Sequence, residues 1–100
     1  MATNFQQLID MFINGETNAI SGTAKNPGTL KIDGDQLIHY NTPILERTSD
    51  KYILNITRYS LQTGQVQKKI KASIPEENRI SVKHVPSDTR LRLIDYIENE

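Results

Sequence analysis

The residues between Asn55 and Lys71 combine short hydroxyls, side-chain amides and cations in one stretch. Hydroxyl and backbone N–H groups at a helix start bind phosphate, and glutamine or asparagine pairs with adenine edges. Lysines further along such a helix neutralise phosphates. These residue types therefore predict a surface that contacts duplex DNA. The predicted contacts, including one lysine in a neighbouring turn, are Lys51, Asn55, Thr57, Arg58, Ser60, Thr63, Gln65, Gln67, Lys68, Lys69 and Lys71.

The charge of the chain is balanced in total but not along its length. The sequence contains 12 basic and 12 acidic residues. Positions 1–50 hold three basic and six acidic residues, whereas positions 51–75 hold five basic residues and no acidic one. Phosphate contact requires such a local positive field. The alternative is that the lysines form only a solvated helix face, with the hydroxyls as caps and the glutamines as surface residues.

Other kinds of site find little support in the sequence. The absence of cysteine excludes disulfides, thiolate metal sites and a cysteine nucleophile. The histidines His39 and His84 lie far apart, and no short-spaced carboxylates complete a zinc motif around them. Asp33 and Asp35 lack the remaining ligands of a calcium loop. We therefore predict no catalytic residue, no metal, no cofactor and no enzymatic activity.

Length and hydropathy limit the class of protein. One hundred residues with 36% hydrophobic side chains and a mean hydropathy of −0.54 predict a single domain, 1–100, with one small core. The sequence has no apolar run of about 18 residues, and its start lacks the charge and apolar pattern of a signal peptide. We expect a cytoplasmic protein that does not bind membranes.

The apolar periodicity of the first half predicts a helix followed by strands. The helix is expected over 4–14, with Thr3 and Gln6 as a capping box, and a mobile loop is expected over 15–28. An antiparallel meander follows, with a turn at Gly34 and a break at Asn41-Thr42-Pro43. The predicted strands are 29–32, 36–40, 44–47 and 52–55.

The second half is predicted to contain two more helices around one strand. Ser60, with Thr57 as the alternative, is expected to cap the first of these helices. This helix ends before Pro75 and buries a stripe that includes Leu61. A strand is expected over 80–85, and the last helix is expected to start at Pro86. The buried residues predicted for that helix are Leu91, Leu93, Ile94 and Ile97. The hairpin that carries Lys51 would act as a wing beside the DNA-binding helix.

A longer pattern in the middle of the chain resembles a family. It can be written as Tyr-x-Thr-Pro-Ile-x-x-Arg followed by Leu-Asn-x-Thr-x-Tyr-Ser-x-x-Thr-x-x-x-Gln, and it spans about residues 30–70. It is similar to small proteins of phages and conjugative plasmids, among them the TcpK-type relaxosome accessory proteins of clostridial plasmids. The resemblance implies a dimeric winged helix-turn-helix protein that binds a plasmid origin of transfer, with a relaxase as a further partner.

Together these observations predict an α+β domain of antiparallel hairpins and amphipathic helices, with an atypical winged helix-turn-helix as an alternative. We expect a homodimer, because paired half-sites add affinity that one small domain lacks. The pattern residues Tyr40, Ile44, Leu54 and Tyr59 are expected in the core. The alternative function is a protein–protein interaction module that acts on a host or transfer protein through exposed apolar and aromatic residues.

Overall fold

Two α-helices and six β-strands form an α+β fold in the computed structural model, which describes residues 3–97. This observation confirms the predicted fold class. The elements are α1 (Phe5–Ile13), β1 (Asn18–Gly22), β2 (Pro27–Asp33), β3 (Gln36–His39), β4 (Thr42–Arg47), β5 (Tyr52–Asn55), α2 (Leu61–Ser73) and β6 (Arg79–Val82). Short 3-10 turns follow α2 at Glu76–Asn78 and β6 at Leu93–Tyr96. Among these residues, no helix has both the length and the apolar character needed to cross a bilayer.

The strands form one sheet in which neighbours in space are also neighbours in sequence. Strands β1 to β5 pair antiparallel, whereas β5 and β6 are parallel. A parallel pair needs a long crossover, and α2 supplies it. The winged helix-turn-helix alternative is not confirmed: a helix-turn-helix joins its helices by a turn of about 3–4 residues, whereas five strands separate α1 from α2 in this fold.

The sheet has a core on each of its faces. The two helices contact each other and pack with strands β2 to β5 in the larger core. Alternation along β5 sends Leu54 into this core and Ile53 into the smaller one, where Val82, Val85 and Leu93 join it. Burying each such aliphatic side chain contributes about 1.5–3 kcal/mol. The buried members of the larger core are Leu8, Ile9, Phe12, Leu30, Ile32, Leu37, Ile44, Leu45, Leu54, Val66, Ile70 and Ile74.

The N-terminal cap of α1 differs from the predicted one by one residue. The side chain of Asn4 accepts from the N–H of Gln7 at 2.8 Å, and the side chain of Gln7 accepts from the N–H of Asn4 at 2.9 Å. The capping box is therefore formed by this pair rather than by Thr3 and Gln6. Thr3 is unavailable as a cap because its backbone exchanges two hydrogen bonds with Gly22 at the end of β1.

The segment 15–28, predicted as a mobile loop, contains edge strand β1 and the start of β2, so that prediction is wrong. Ser21 is buried between the two strands, where its hydroxyl donates to the carbonyl of Leu30 at 2.8 Å and accepts from its N–H at 3.2 Å. A Cβ atom on Gly28 would come within 2.2 Å of the Ser21 hydroxyl. The small and polar residues that resemble a loop in sequence thus allow two strands to approach closely.

The predicted break over 41–43 is instead a tight hairpin turn formed by Tyr40 and Asn41. Both residues have positive φ, 59° and 95°, as a type I′ turn requires. Strand β4 therefore begins at Thr42 and contains Pro43 at an irregular point of the β3–β4 register. Tyr40 is 56% exposed, which corrects its expected place in the core. A left-handed conformation costs a bulky residue on the order of 1–3 kcal/mol.

The helix predicted to start at Pro86 is not formed within residues 3–97, and only the short 3-10 turn occurs there. The cause is Glu46, a buried residue of β4 whose carboxylate accepts from the N–H groups of Leu93 at 2.9 Å and Ile94 at 3.2 Å. These bonds hold the chain against the sheet in place of a helical ladder. Leu93 is buried as predicted, whereas Leu91 and Ile94 are exposed.

Candidate nucleic-acid interface

Helix α2 carries most of the predicted DNA contacts. The Ser60 hydroxyl accepts from the N–H of Thr63 at 3.2 Å, which confirms Ser60 as the N-cap. The helix ends at Ser73, before Pro75, because proline cannot continue the backbone ladder. The residues that α2 buries recur at helical spacing against the sheet, and they are Thr63, Val66, Gln67 and Ile70.

The opposite side of α2, which we term the outward face, is exposed along the whole helix. It consists of Leu61, Gln62, Gly64, Gln65, Lys68, Lys69, Lys71 and Ala72. Its three charges are all positive, and Lys71 lies in the last turn, where a cation suits the helix dipole. A Cβ atom added to Gly64 would meet no atom within 4 Å, so the middle of this face is open to close approach. Leu61 is 90% exposed, so its predicted place in the buried stripe is wrong.

A groove of about 600 Å³ lies beside the outward face. Arg58, in the extended segment before the helix, lines this groove together with Gln65, Lys68 and Lys71 of α2. Its walls thus bring together three predicted cationic contacts and two predicted amide contacts, Gln65 and Gln67. Ser60 also lines the groove, but its hydroxyl is engaged with Thr63 as the helix cap.

Asn55 is fully buried at the end of β5 rather than exposed to a ligand. Its amide nitrogen donates to the carbonyl of Pro43 at 3.0 Å and to the hydroxyl of Tyr59 at 2.9 Å. Its amide oxygen accepts from the N–H of Thr57 at 3.0 Å. This burial corrects the expectation that Asn55 faces DNA, because its side chain satisfies groups inside the protein.

Gln67 and Thr57 also serve the interior. The amide nitrogen of Gln67 donates to the carbonyls of Asn55 at 2.7 Å and Thr57 at 2.9 Å. The Thr57 hydroxyl accepts from the N–H of Val85 at 2.9 Å, and the Tyr59 hydroxyl donates to the carbonyl of the same residue. Both predicted contacts are therefore corrected to positioning roles: they fix the segment before α2 and fasten the C-terminal segment to it.

Thr63 is a buried link between α2 and the sheet. Its hydroxyl lies 2.9 Å from Nδ1 of His39, whose Nε2 lies 3.0 Å from the hydroxyl of Thr29. Thr63 is thereby corrected from a DNA contact to an internal residue. Burial lowers the pKa of His39, because removing the imidazole from water disfavours its charged form. His84, in contrast, is exposed and has a φ of 61°. Strand β6 ends at Val82, before His84, so it stops short of the end of the predicted strand 80–85.

The lowered pKa of His39 makes stability depend on pH. Below the ordinary pKa of 6.5 the unfolded chain binds a proton that the folded protein resists. We expect the contribution of His39 to the free energy of unfolding to be constant above pH 6.5. It should fall as the pH drops below 6.5. Urea unfolding between pH 7.5 and 5 measures the slope. His39→Gln should reduce this slope; equal slopes in wild type and His39→Gln would contradict this assignment.

Lys51 lies apart from the groove. It is exposed in the β4–β5 turn, and its ammonium donates to the carbonyl of Glu77 at 3.3 Å, in the 3-10 turn after α2. The turn predicted as a wing therefore lies beyond the C-terminal end of the helix. Lys69 lines a different groove, next to the first turn of α1.

The polar residues of the family-like pattern thus largely form one internal network. Asn55, Thr57, Tyr59 and Gln67 bond to one another or to shared backbone groups. Comparisons with protein-family models, curated proteins and solved structures found no match. The residues that remain available to a ligand are those that the fold leaves exposed: Lys51, Arg58, Ser60, Gln65, Lys68, Lys69 and Lys71.

Two exposed residues, Tyr40 in the β3–β4 turn and Leu61 at the start of α2, were not predicted as contacts. Tyr40 projects its hydroxyl onto Gln62, with 2.7 Å between the oxygens, and Leu61 directly precedes that glutamine. A signal for Tyr40 was present in the sequence, because Tyr40-Asn41 separates two apolar runs by the two residues of a hairpin turn. For Leu61, the position immediately after the Ser60 cap places it outside the stripe that starts at Thr63.

Proposed function

We propose that this protein binds duplex DNA through the outward face of α2 and the neighbouring groove. The supporting observation is the charge of this surface: Lys68, Lys69, Lys71 and Arg58 are exposed there, and no acidic residue lies between positions 51 and 75. Four exposed cations on a chain of zero net charge attract phosphate locally without making the whole protein polycationic.

The exposed residues take distinct roles in this proposal. The cations contact phosphates, which fixes the helix on the duplex but carries no sequence information. Gln65, halfway along the outward face, is placed to read an adenine edge through its amide. Gly64 beside it allows the sugar-phosphate backbone to approach the helix closely.

The proposal extends to the setting of the protein. We propose a cytoplasmic homodimer that binds near a plasmid origin of transfer and works with a relaxase, as the resemblance of the central pattern implies. Two copies on paired half-sites would supply the affinity that a single small face lacks. The competing function is a protein-interaction module, for which the exposed apolar residues Leu91 and Ile94 would matter more than the lysines.

A titration at several salt concentrations tests the proposal. Labelled duplexes from the origin or promoter region of the protein's own genetic element are compared with shuffled duplexes of the same composition. We expect selective binding that weakens with a log–log salt slope of about −3 to −4, since about four cations contact phosphates. Absence of binding to either duplex at low salt would overturn the proposal, and salt-insensitive capture of a protein partner would favour the alternative.

A further inference from the structure

Two large side chains, Leu61 at the start of α2 and Tyr40 in the β3–β4 turn, are unusually exposed. Leu61 is 90% exposed at the first position of the helix, where any polar residue would fit without a change of packing. Tyr40 is 56% exposed and held at a φ of 59°, a conformation that bulky residues rarely adopt. Neither of these large side chains is buried, so packing in the core does not account for its residue type. Backbone strain at an exposed position, as at Tyr40, is typical of binding sites.

The Tyr40 ring is held in place although it is exposed. Its hydroxyl donates to the side-chain oxygen of Gln62 at 2.7 Å, and its ring centroid lies 4.5 Å from that of His39. His39 is itself fixed between Thr63 and Thr29. The hairpin tip is therefore attached to the first turn of α2, and an incoming ligand meets Tyr40 already ordered.

The outward face continues from this apolar end as a ridge of changing chemistry. Leu61, Gln65 and Lys68 follow one another at spacings of four and three residues, which places them in line on the helix surface. The ridge thus presents an apolar group, an amide and a cation in sequence. These are the groups that contact, in order, a thymine methyl, an adenine edge and a phosphate.

The charge around Leu61 decides which kind of ligand fits. Arg58 and Lys68 line the same groove as Leu61. A partner must therefore offer anions next to an apolar surface, and the major groove of a duplex does so where thymine methyl groups lie between phosphate strands. We propose that Leu61, in the helix turn to which Tyr40 is bonded through Gln62, contacts thymine methyl groups. The ligand is then a duplex rich in A·T pairs, and this inference rests on the proposed DNA binding.

The test removes only the methyl group. Three 20-base-pair duplexes are compared: alternating A·T, the same duplex with uracil in place of thymine, and alternating G·C. Uracil keeps every hydrogen-bonding group of thymine and lacks its methyl. We expect the wild type to prefer A·T over G·C and to lose about fourfold in affinity for each buried methyl on the uracil duplex.

Variants assign the effect to the named residues. Leu61→Ala should bind the thymine and uracil duplexes equally and keep the salt slope of the wild type. Tyr40→Asn retains the turn, because asparagine tolerates positive φ. This variant should reduce the ratio of the affinities for the thymine and uracil duplexes. Leu91→Ala, which removes another exposed leucine, should behave as the wild type.

Three outcomes would overturn the inference. Salt-sensitive binding with equal affinity for the thymine and uracil duplexes would show that DNA binds without methyl contacts, and the proposed function would stand. A thymine preference that persists in Leu61→Ala would show that Leu61 does not contact the methyl groups, and the proposed function would again stand. A wild type that binds none of the three duplexes at low salt would remove the proposed function together with the inference.

Discussion

Replacing Lys68, Lys69 and Lys71 together by alanine is expected to weaken binding to specific and shuffled duplexes alike, on the order of a hundredfold at about 0.1 M salt. Each lysine that contacts a phosphate releases counterions, so the salt slope should become shallower by about 1 for each phosphate that the variant no longer neutralises. All three side chains are exposed, and alanine favours helix, so the fold should persist. Fluorescence anisotropy at four salt concentrations gives both the affinity and the slope.

A control variant separates this surface from net charge. Lys25, Lys83 and Arg90 are also exposed and lie outside α2. Changing these three to alanine alters the net charge by the same amount and should leave the salt slope within about 1 of the wild type. Equal weakening in both triple variants would mean that only overall charge matters. Unchanged affinity in the α2 variant would exclude the outward face as the DNA contact.

The elements predicted correctly from sequence are those whose signals are local. Ser60 and Pro75 bound α2 because a cap hydroxyl and a missing N–H act within one turn. The Gly34 turn allows positive φ by the same local logic. Such signals need no knowledge of distant residues, so one sequence suffices to place them.

The elements that were missed depend on distant partners. Strand β1 lies at a sheet edge, and its residues form a strand through pairing with β2 and through the bonds of Ser21 to Leu30. The C-terminal segment has helical apolar spacing, but Glu46, far away in sequence, takes the N–H groups of Leu93 and Ile94. Local propensity gives way to tertiary contacts at both places.

At the candidate site, the sequence predicted which residue types are present but not which side chains face the interior. The composition of 55–71 identified a polar and basic stretch but could not tell which amides face inward. The spacing contained part of the answer, because Thr63 and Gln67 share the helical stripe of Val66 and Ile70. Nothing local marks Asn55 as buried, since its partners Pro43 and Tyr59 reach it only through the pairing of β4 with β5 and the bend that follows.

Asn55→Ala is expected to lower the free energy of unfolding by about 2–4 kcal/mol. The change leaves the carbonyl of Pro43 and the N–H of Thr57 without these partners in a buried region, at about 1–3 kcal/mol for each unsatisfied group. Small domains have only about 5–15 kcal/mol in total. Thermal unfolding should therefore shift downward by roughly 8–32 °C, since 1 kcal/mol corresponds to about 4–8 °C in a chain of this size.

Two further variants show whether Asn55 acts through the fold or on a ligand. Asn55→Asp keeps the size of the side chain but replaces the amide nitrogen, which donates hydrogen bonds to Pro43 and Tyr59, by a carboxylate oxygen. This variant should therefore also destabilise the fold. Gln65→Ala, which removes an exposed amide, should change stability by less than about 0.5 kcal/mol. Below the unfolding temperature Asn55→Ala should retain the salt slope of the wild type, because the outward face is untouched. An Asn55→Ala variant that keeps the wild-type free energy of unfolding would contradict the structural role assigned to this residue.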